Sequence, residues 1–387
     1  MDPPVNLRDY MEELVRFTLH SHIKGTLEFK HMGLSRDFCS TLLEDDPCEP
    51  CSEVTDFSEG VLPYPLYKRL ASNLVKCTSF GAFSKTCSDE TMVDDLSSLK
   101  QKETEWKKLI METESEIMNI LKSVGFELHV QESFFSKLKD GLKTVEGRCA
   151  VGNYNRIESG NLIFFNKCVL FEVQGIRHYT SFSDMLEAES LQKVLPGVET
   201  VEEGVKIYRR FYTEEQEQSN GVLAIGVSKV ALQPFISLAR LFSGLGYAGV
   251  QCLLGLAHTI GTIPDALPPS RSTLLSSFKL PYKPDVEGSA LTHGARALAK
   301  HTHRSSNRYW GSLDGSDSDK NTIAMDVINN IIAHCCWLNV HIVPPHGAVF
   351  EIRVADGYGA RWTKDGSKFI GFLEPYMEDG HLKGWKH

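Results

Sequence analysis

An α+β fold in several parts is what the sequence predicts, and three observations carry the prediction. The chain has 387 residues, enough for two or three cores at about 100–200 residues per domain. Apolar residues recur at helical spacing in the N-terminal region, and from Gly125 onward short alternating, aromatic runs take over. The C-terminal region combines helix-periodic segments with four strand-like ones. Hydrophobic residues at 42% and charged residues at 24% are ordinary for a folded protein and exclude wholesale disorder, collagen-like repetition and coiled-coil composition. The predicted divisions are a mainly helical region with acidic loops at 1–124, a small α+β unit at 125–234, a Gly/Pro-rich apolar helical connector at 235–283 and a histidine-rich α+β region at 284–387.

In the first region, residues 5–19 place Leu7, Tyr10, Met11, Leu14 and Phe17 three and four apart, an amphipathic helix that needs a partner surface. The acidic segments 44–59 and 89–98 read as loops or linkers, residues 62–70 as an extended entry into a short helix, and 99–124 as a long polar helix striped by Trp106, Ile110, Ile117 and Leu121. The opening residues mix acids with apolar side chains and lack the basic stretch and uncharged run of a secretory signal, so a cytoplasmic or nuclear protein is expected. Its ten cysteines then pack as small thiols. The one C-x-x-C, Cys48 and Cys51, is half a zinc site at most, with Cys39, Cys77 and Cys87 at irregular distances; no metal and no cofactor are expected.

The stretch from Leu241 to Ile263 carries no charge, but five glycines, Gln251 and His258 suit a buried helical segment better than a lipid-facing span, so no membrane partner is expected. The net charge is −9. No segment is a strongly basic block of the kind that grips long duplexes, and any nucleic-acid role must rest on a local pocket or stripe.

In the middle region, 126–130 reads as a strand, 133–142 as a helix capped by Ser133, and 143–148, 162–165 and 168–173 as strands. Helices follow at 182–194 and 201–217, with a closing strand at 221–227. That is a small open or closed barrel. Lys143, Glu146 and Arg148 crowd one short strand, which suits the mouth of a barrel holding a polar ligand or, alternatively, an exposed edge strand of paired charges.

The run Phe134 to Arg148 with its G-x-K-T-V-E-G-R core, then residues 157–164, Ser181 to Glu189, Leu195-Pro-Gly and residues 221–225, together resemble the ASCH family over about 110 residues. The resemblance implies a central PUA-like ASCH β-barrel, as in eukaryotic ASCH domain-containing RNA-binding proteins, and a pocket lined by Lys143, Thr144, Glu146, Arg148 and Glu189. Some bacterial members are acetylcytidine amidohydrolases that use a lysine, a threonine three positions later and a glutamate on the following helix. Lys143 and Glu189 match the first and last, and would be catalytic if this chain is an enzyme. Glu146 stands at the threonine position, a carboxylate that cannot take over a hydroxyl's chemistry.

Eight of the fourteen histidines fall in 284–387. A helix at 292–304 would show Arg296, Lys300 and Arg304 on one face, with His293 and His301 eight apart on a neighbouring one. A further helix at 320–336 and strands at 337–343, 349–354, 359–363 and 368–372 predict two helices on a four-stranded antiparallel sheet, with Asp365-Gly366 as a hairpin turn. Tyr358, Arg361 and Trp362, and His381 in the tail, could join those cations in a second site that clamps a phosphate or stacks a base; a packed domain with surface histidines explains the same residues. Three functions follow from the sequence. The first is noncatalytic binding of single-stranded RNA or a modified nucleoside, the second hydrolysis of RNA or an acylated nucleoside, and the third a scaffold recruiting proteins through the N-terminal helices.

Overall fold

Short runs of aromatic and β-branched residues form the first sheet. Its strands are β1 (Phe126–Leu128), β2 (Val145–Cys149), β3 (Leu162–Phe165), β4 (Val169–Tyr179) and β5 (Val222–Lys229), in the computed structural model, which describes residues 7–46, 60–80, 96–286, 290–302 and 308–375. Across the sheet they run β1-β3-β4-β5-β2, with β1 parallel to β3 and the other neighbours antiparallel, and the sheet curls into a half-barrel. The expected strand at 168–173 extends to Tyr179, because a bulge between Val173 and Gly175 bends β4 and lets it keep pairing with β5.

Several helices differ from expectation for local reasons. The first begins at Glu132, with Gln131 at its N-cap and no side-chain cap bond, in place of a Ser133 cap. Ser190 takes a φ of 72° and so splits the 182–194 helix into Phe182–Glu189 and Leu191–Val194. Thr213 starts a new helix, Glu214–Asn220, through a capping box with Gln216, which separates it from Val201–Tyr208. These helices cover one face of the sheet. Val145, Cys149, Val222 and Ala224 meet Phe182, Met185, Leu186 and Tyr208 there, and Phe182 stacks on Tyr208 with centroids 4.2 Å apart.

Among the described residues two compact units separate. One comprises Met1–Thr18, Leu27–Lys30 and Glu112–Leu241, and the other Leu19–Thr26, His31–Met111 and Phe242–His387. In the first unit residues 7–18 of the amphipathic helix Leu7–Ile23 find a partner surface within the chain. Tyr10 stacks on Phe164 at 5.8 Å, and Phe17 meets Phe135 and Phe235 edge-on at 6.0 and 5.2 Å.

The second unit holds β6 (Trp337–Val343), β7 (Gly347–Arg353), β8 (Gly359–Thr363) and β9 (Phe369–Leu373), an antiparallel meander in chain order whose last turn uses Gly366 at φ 73°. One face packs on the helices Arg271–Lys279, His293–Leu298 and Asp317–His334. Phe278 lies edge-on to Phe369 at 4.8 Å, and Trp362 donates from Nε1 to the Leu274 carbonyl at 3.2 Å. Residues 257–263 run along the outer edge of β6. Ala257 N–H donates to the Leu338 carbonyl at 2.8 Å, and Ile342 N–H to Gly261 at 2.9 Å, so this edge is not left open.

No helix among the described residues is long and apolar enough to cross a membrane; the uncharged stretch forms much of Pro234–Leu254, broken by a non-helical Gly246. Cys39 and Cys77 are buried, whereas Cys48, Cys51 and Cys87 lie outside the described residues. Among those described, no group of three or more His, Cys, Asp or Glu is placed to hold a metal ion.

Candidate functional site

Lys143 stands just before β2, and its ammonium is buried; the residue is 2% exposed. A lysine has three N–H donors, and here each has an acceptor: the Val145 carbonyl at 2.8 Å, the Val194 carbonyl, and Glu146 Oε2 at 3.0 Å. Burial lowers the Lys143 pKa, an effect that Glu146 partly offsets. The other Glu146 oxygen lies 2.9 Å from Arg148 Nε, so one carboxylate bridges two cations. Arg148 reaches further, donating to the His129 carbonyl and hydrogen-bonding Tyr212, with Tyr154 nearby. Burial pulls the Arg148 pKa down, but Glu146, Tyr212 and Tyr154 outweigh it and the net shift is upward.

Strand register decides which residues share a face. Val145 and Cys149 belong to the helix-covered core, so Glu146 and Arg148 lie on the other face of β2, beside Ile225 and Leu223 of β5 and, one strand on, Ile176 and His178 of β4. Arg177 and Tyr179 alternate with these and therefore sit on the helix-covered side. There Glu189, the last residue of its helix, accepts from both ends of the Arg177 guanidinium and from Tyr179 Oη at 2.6 Å. Arg177 accordingly lowers the Glu189 pKa. Among the described residues, then, Lys143, Glu146 and Arg148 form one cluster and Glu189 another with Arg177 and Tyr179. Thr144 makes backbone links, its N–H to the Lys193 carbonyl at 3.0 Å and its own carbonyl to the Val227 N–H at 2.9 Å.

Gly147, between Glu146 and Arg148, allows Tyr208 to approach the strand, and Tyr208 Oη accepts from the Gly147 N–H. A Cβ at this position would lie 2.4 Å from Tyr208 Oη and 2.7 Å from Met185 Cε. Gly147→Ala is therefore expected to destabilise the first unit by about 1–3 kcal/mol, the usual cost of overpacking. Faster hydrogen exchange in β2 and β5 would register it; unchanged exchange would mean that Tyr208 moves aside freely.

The second set of sequence candidates is dispersed. His293 and Arg296 flank the ring of Tyr282, edge-on at 5.6 Å and as a cation over the face at 5.3 Å, while Lys300 is exposed. Tyr358 stacks on Tyr309 at 3.6 Å, and Trp362 belongs to the helix-packed core. Arg304 and His381 lie outside the described residues. Arg361 points to the sheet's other face, where it joins residues that the sequence reading passed over. Its Nε and Nη2 donate to Glu351 Oε2 at 2.8 and 2.6 Å, Arg353 Nε donates to Oε1 at 2.7 Å, and His341 Nε2 lies 3.4 Å from Oε2. The available signal was charge at alternate positions of β7, Glu351 and Arg353, opposite apolar Phe350 and Ile352.

Comparison with known proteins gives two family matches: residues 128–231 match the ASCH domain, and residues 283–374 match the CdiA C-terminal tRNase toxin domain. Two solved structures are similar. The hypothetical protein PH0355 is 42% identical over 27% of this chain and 98% of its own, with a TM-score of 0.27. Protein PF0455 from Pyrococcus furiosus is 41% identical over 28% of this chain and 98% of its own, with a TM-score of 0.26. No curated protein matches the chain.

Proposed function

We propose, from the match of residues 128–231 to the ASCH domain, that the chain binds single-stranded RNA or a nucleoside on the face of β2 that carries Glu146 and Arg148. The observation that carries this reading is the Glu146 carboxylate, held by Lys143 and Arg148 beside Tyr212 and Tyr154. A carboxylate accepts hydrogen bonds and selects an N–H or amino edge; Tyr154 offers a ring for stacking, Tyr212 being already stacked on Phe182 at 5.5 Å, and Arg148 offers a cation for phosphate. Residues 126–233 hold fifteen acidic and twelve basic residues, so phosphate neutralisation contributes little and long duplexes are poor ligands. Deacylation of an acylated cytidine is not favoured. The Lys143 donors are already engaged, Glu189 is paired with Arg177, and Glu146 occupies the place of the required hydroxyl.

Glu146→Gln is expected to weaken the bound nucleoside by about 1–3 kcal/mol, because an amide presents a donor where an acceptor is needed. Titrating a panel of nucleosides and short RNAs against the wild type, Glu146→Gln and Glu146→Thr checks this; equal affinities throughout would make Glu146 a structural charge only.

A second reading is favoured by a separate observation. Residues 283–374 match a tRNase toxin domain, which supports cleavage of RNA by the second unit. On this reading one part of the chain binds RNA and another acts on it.

A further inference from the structure

On the face of the second sheet away from its helices, three adjacent strands bring together one carboxylate, one imidazole and two guanidinium groups. Asn339, Glu351 and Arg361 form a row of direct partners across β6, β7 and β8; His341 lies diagonal to Glu351, and Arg353 two residues along its own strand. The row is backed by polar contacts, since Asn339 Nδ2 donates to Thr259 Oγ1 at 2.9 Å and its Oδ1 accepts from Thr262 at 3.2 Å. Glu351 is 2% exposed, whereas His341 and Arg353 are only partly covered. One arginine fork suffices to neutralise a carboxylate. Arg361 gives Glu351 two donors and Arg353 only its Nε, its Nη1 being held by the Gly357 and Glu374 carbonyls at 2.7 and 3.1 Å. Two guanidinium groups beside one carboxylate still leave surplus positive charge around a pair of groups able to move protons, an arrangement suited to a phosphodiester.

We propose that this face cleaves RNA phosphodiesters with the ribose 2′-hydroxyl as nucleophile. The inference rests on the second reading above and assigns residues to it. Glu351 takes the 2′-hydroxyl proton; the 2′-oxygen bonds to phosphorus; the bond from phosphorus to the 5′-oxygen breaks; and His341, as imidazolium, gives its proton to the departing 5′-oxygen. The products are a 2′,3′-cyclic phosphate and a 5′-hydroxyl, and the step balances without any co-reactant. Arg353 and Arg361 donate to the non-bridging oxygens, whose charge grows in the transition state.

The resting site is poised for this exchange. Burial alone would raise the Glu351 pKa, but His341, Arg353 and Arg361 outweigh it and hold the carboxyl at about 2. A docked phosphodiester draws the arginine donors to itself and adds negative charge beside Glu351, and both effects raise the carboxylate's proton affinity. The 3.4 Å contact between His341 and Glu351 is long for a hydrogen bond and is the weakest of the contacts that Glu351 makes in the cluster.

The full chain is incubated, with chelator present, with an end-labelled single-stranded oligoribonucleotide of mixed sequence and with unfractionated tRNA. Cleavage to products ending in cyclic phosphate is expected, with the matching 2′-deoxy oligonucleotide left intact. His341→Gln and Glu351→Gln should each slow cleavage by at least about 100-fold. Because Glu351→Gln disturbs a buried network, His341→Gln, on a partly covered side chain, is the decisive variant, with tryptophan fluorescence used to verify its fold. Wild-type rates in both variants, or cutting of the deoxy strand, would overturn this site while leaving the second reading standing. No cleavage of either RNA would overturn both, and would leave the RNA-binding reading to its own titration.

Discussion

Replacing Lys143 by methionine is expected to destabilise the first unit by about 3–5 kcal/mol, the range found when one member of a buried ion pair is removed. Methionine keeps the apolar stem but leaves the Val145 and Val194 carbonyls without their donor and Glu146 with Arg148 alone. The loss arises from these abandoned acceptors, so the Lys143→Met, Glu146→Gln double variant should recover part of it, as coupled neighbours do. The described tryptophans, Trp106, Trp310, Trp337 and Trp362, fall in the second unit and their fluorescence does not follow the first, so hydrogen exchange of β2 and β5 is the suitable measure. Native-like protection with ligand binding abolished would mean that the Lys143 ammonium serves a ligand and does not hold the fold.

Acid should weaken the second unit through Glu351. Its folded pKa of about 2 lies below the ordinary glutamate value of about 4.3, so the stabilisation is fully present above the unfolded pKa and is lost as pH falls through the folded one. A shift of a little over two pH units corresponds to about 3 kcal/mol, disappearing between about pH 4.5 and pH 2. Urea unfolding followed by tryptophan fluorescence should show a gap between the wild type and Glu351→Gln that is widest near neutrality and narrows with acid. A gap of constant size from pH 7 to pH 3 would contradict the assignment of that stability to the ionised carboxylate.

Features set by local pattern could be read from the sequence. The Leu7–Ile23 helix, the four strands of the second sheet and the crowding of Lys143, Glu146 and Arg148 follow from periodicity or from residue types along one short segment. What escaped depends on pairing between distant segments. Arg177 reaches Glu189 only because β4 continues past its bulge at Gly175, where simple alternation breaks. Glu351 looks like any charged strand residue until pairing places β7 between β6 and β8 and sets Arg361 directly opposite. Trp362, grouped in the sequence with Arg361, is its neighbour along β8 and so faces the opposite side of the sheet. Ser190 gave no warning that its backbone would turn to positive φ and end a helix.

RNA binding on the Glu146 and Arg148 face can be decided by a salt titration of affinity. Fluorescence anisotropy would compare a labelled single-stranded oligoribonucleotide with its duplex, for the wild type and for Glu146→Gln. The expected result is preferential binding of the single strand, a log–log salt slope corresponding to only a few released counterions, and about 5- to 150-fold weaker binding by the variant, the equivalent of about 1–3 kcal/mol. Tight duplex binding with a steep slope, or affinity indifferent to Glu146→Gln, would contradict it.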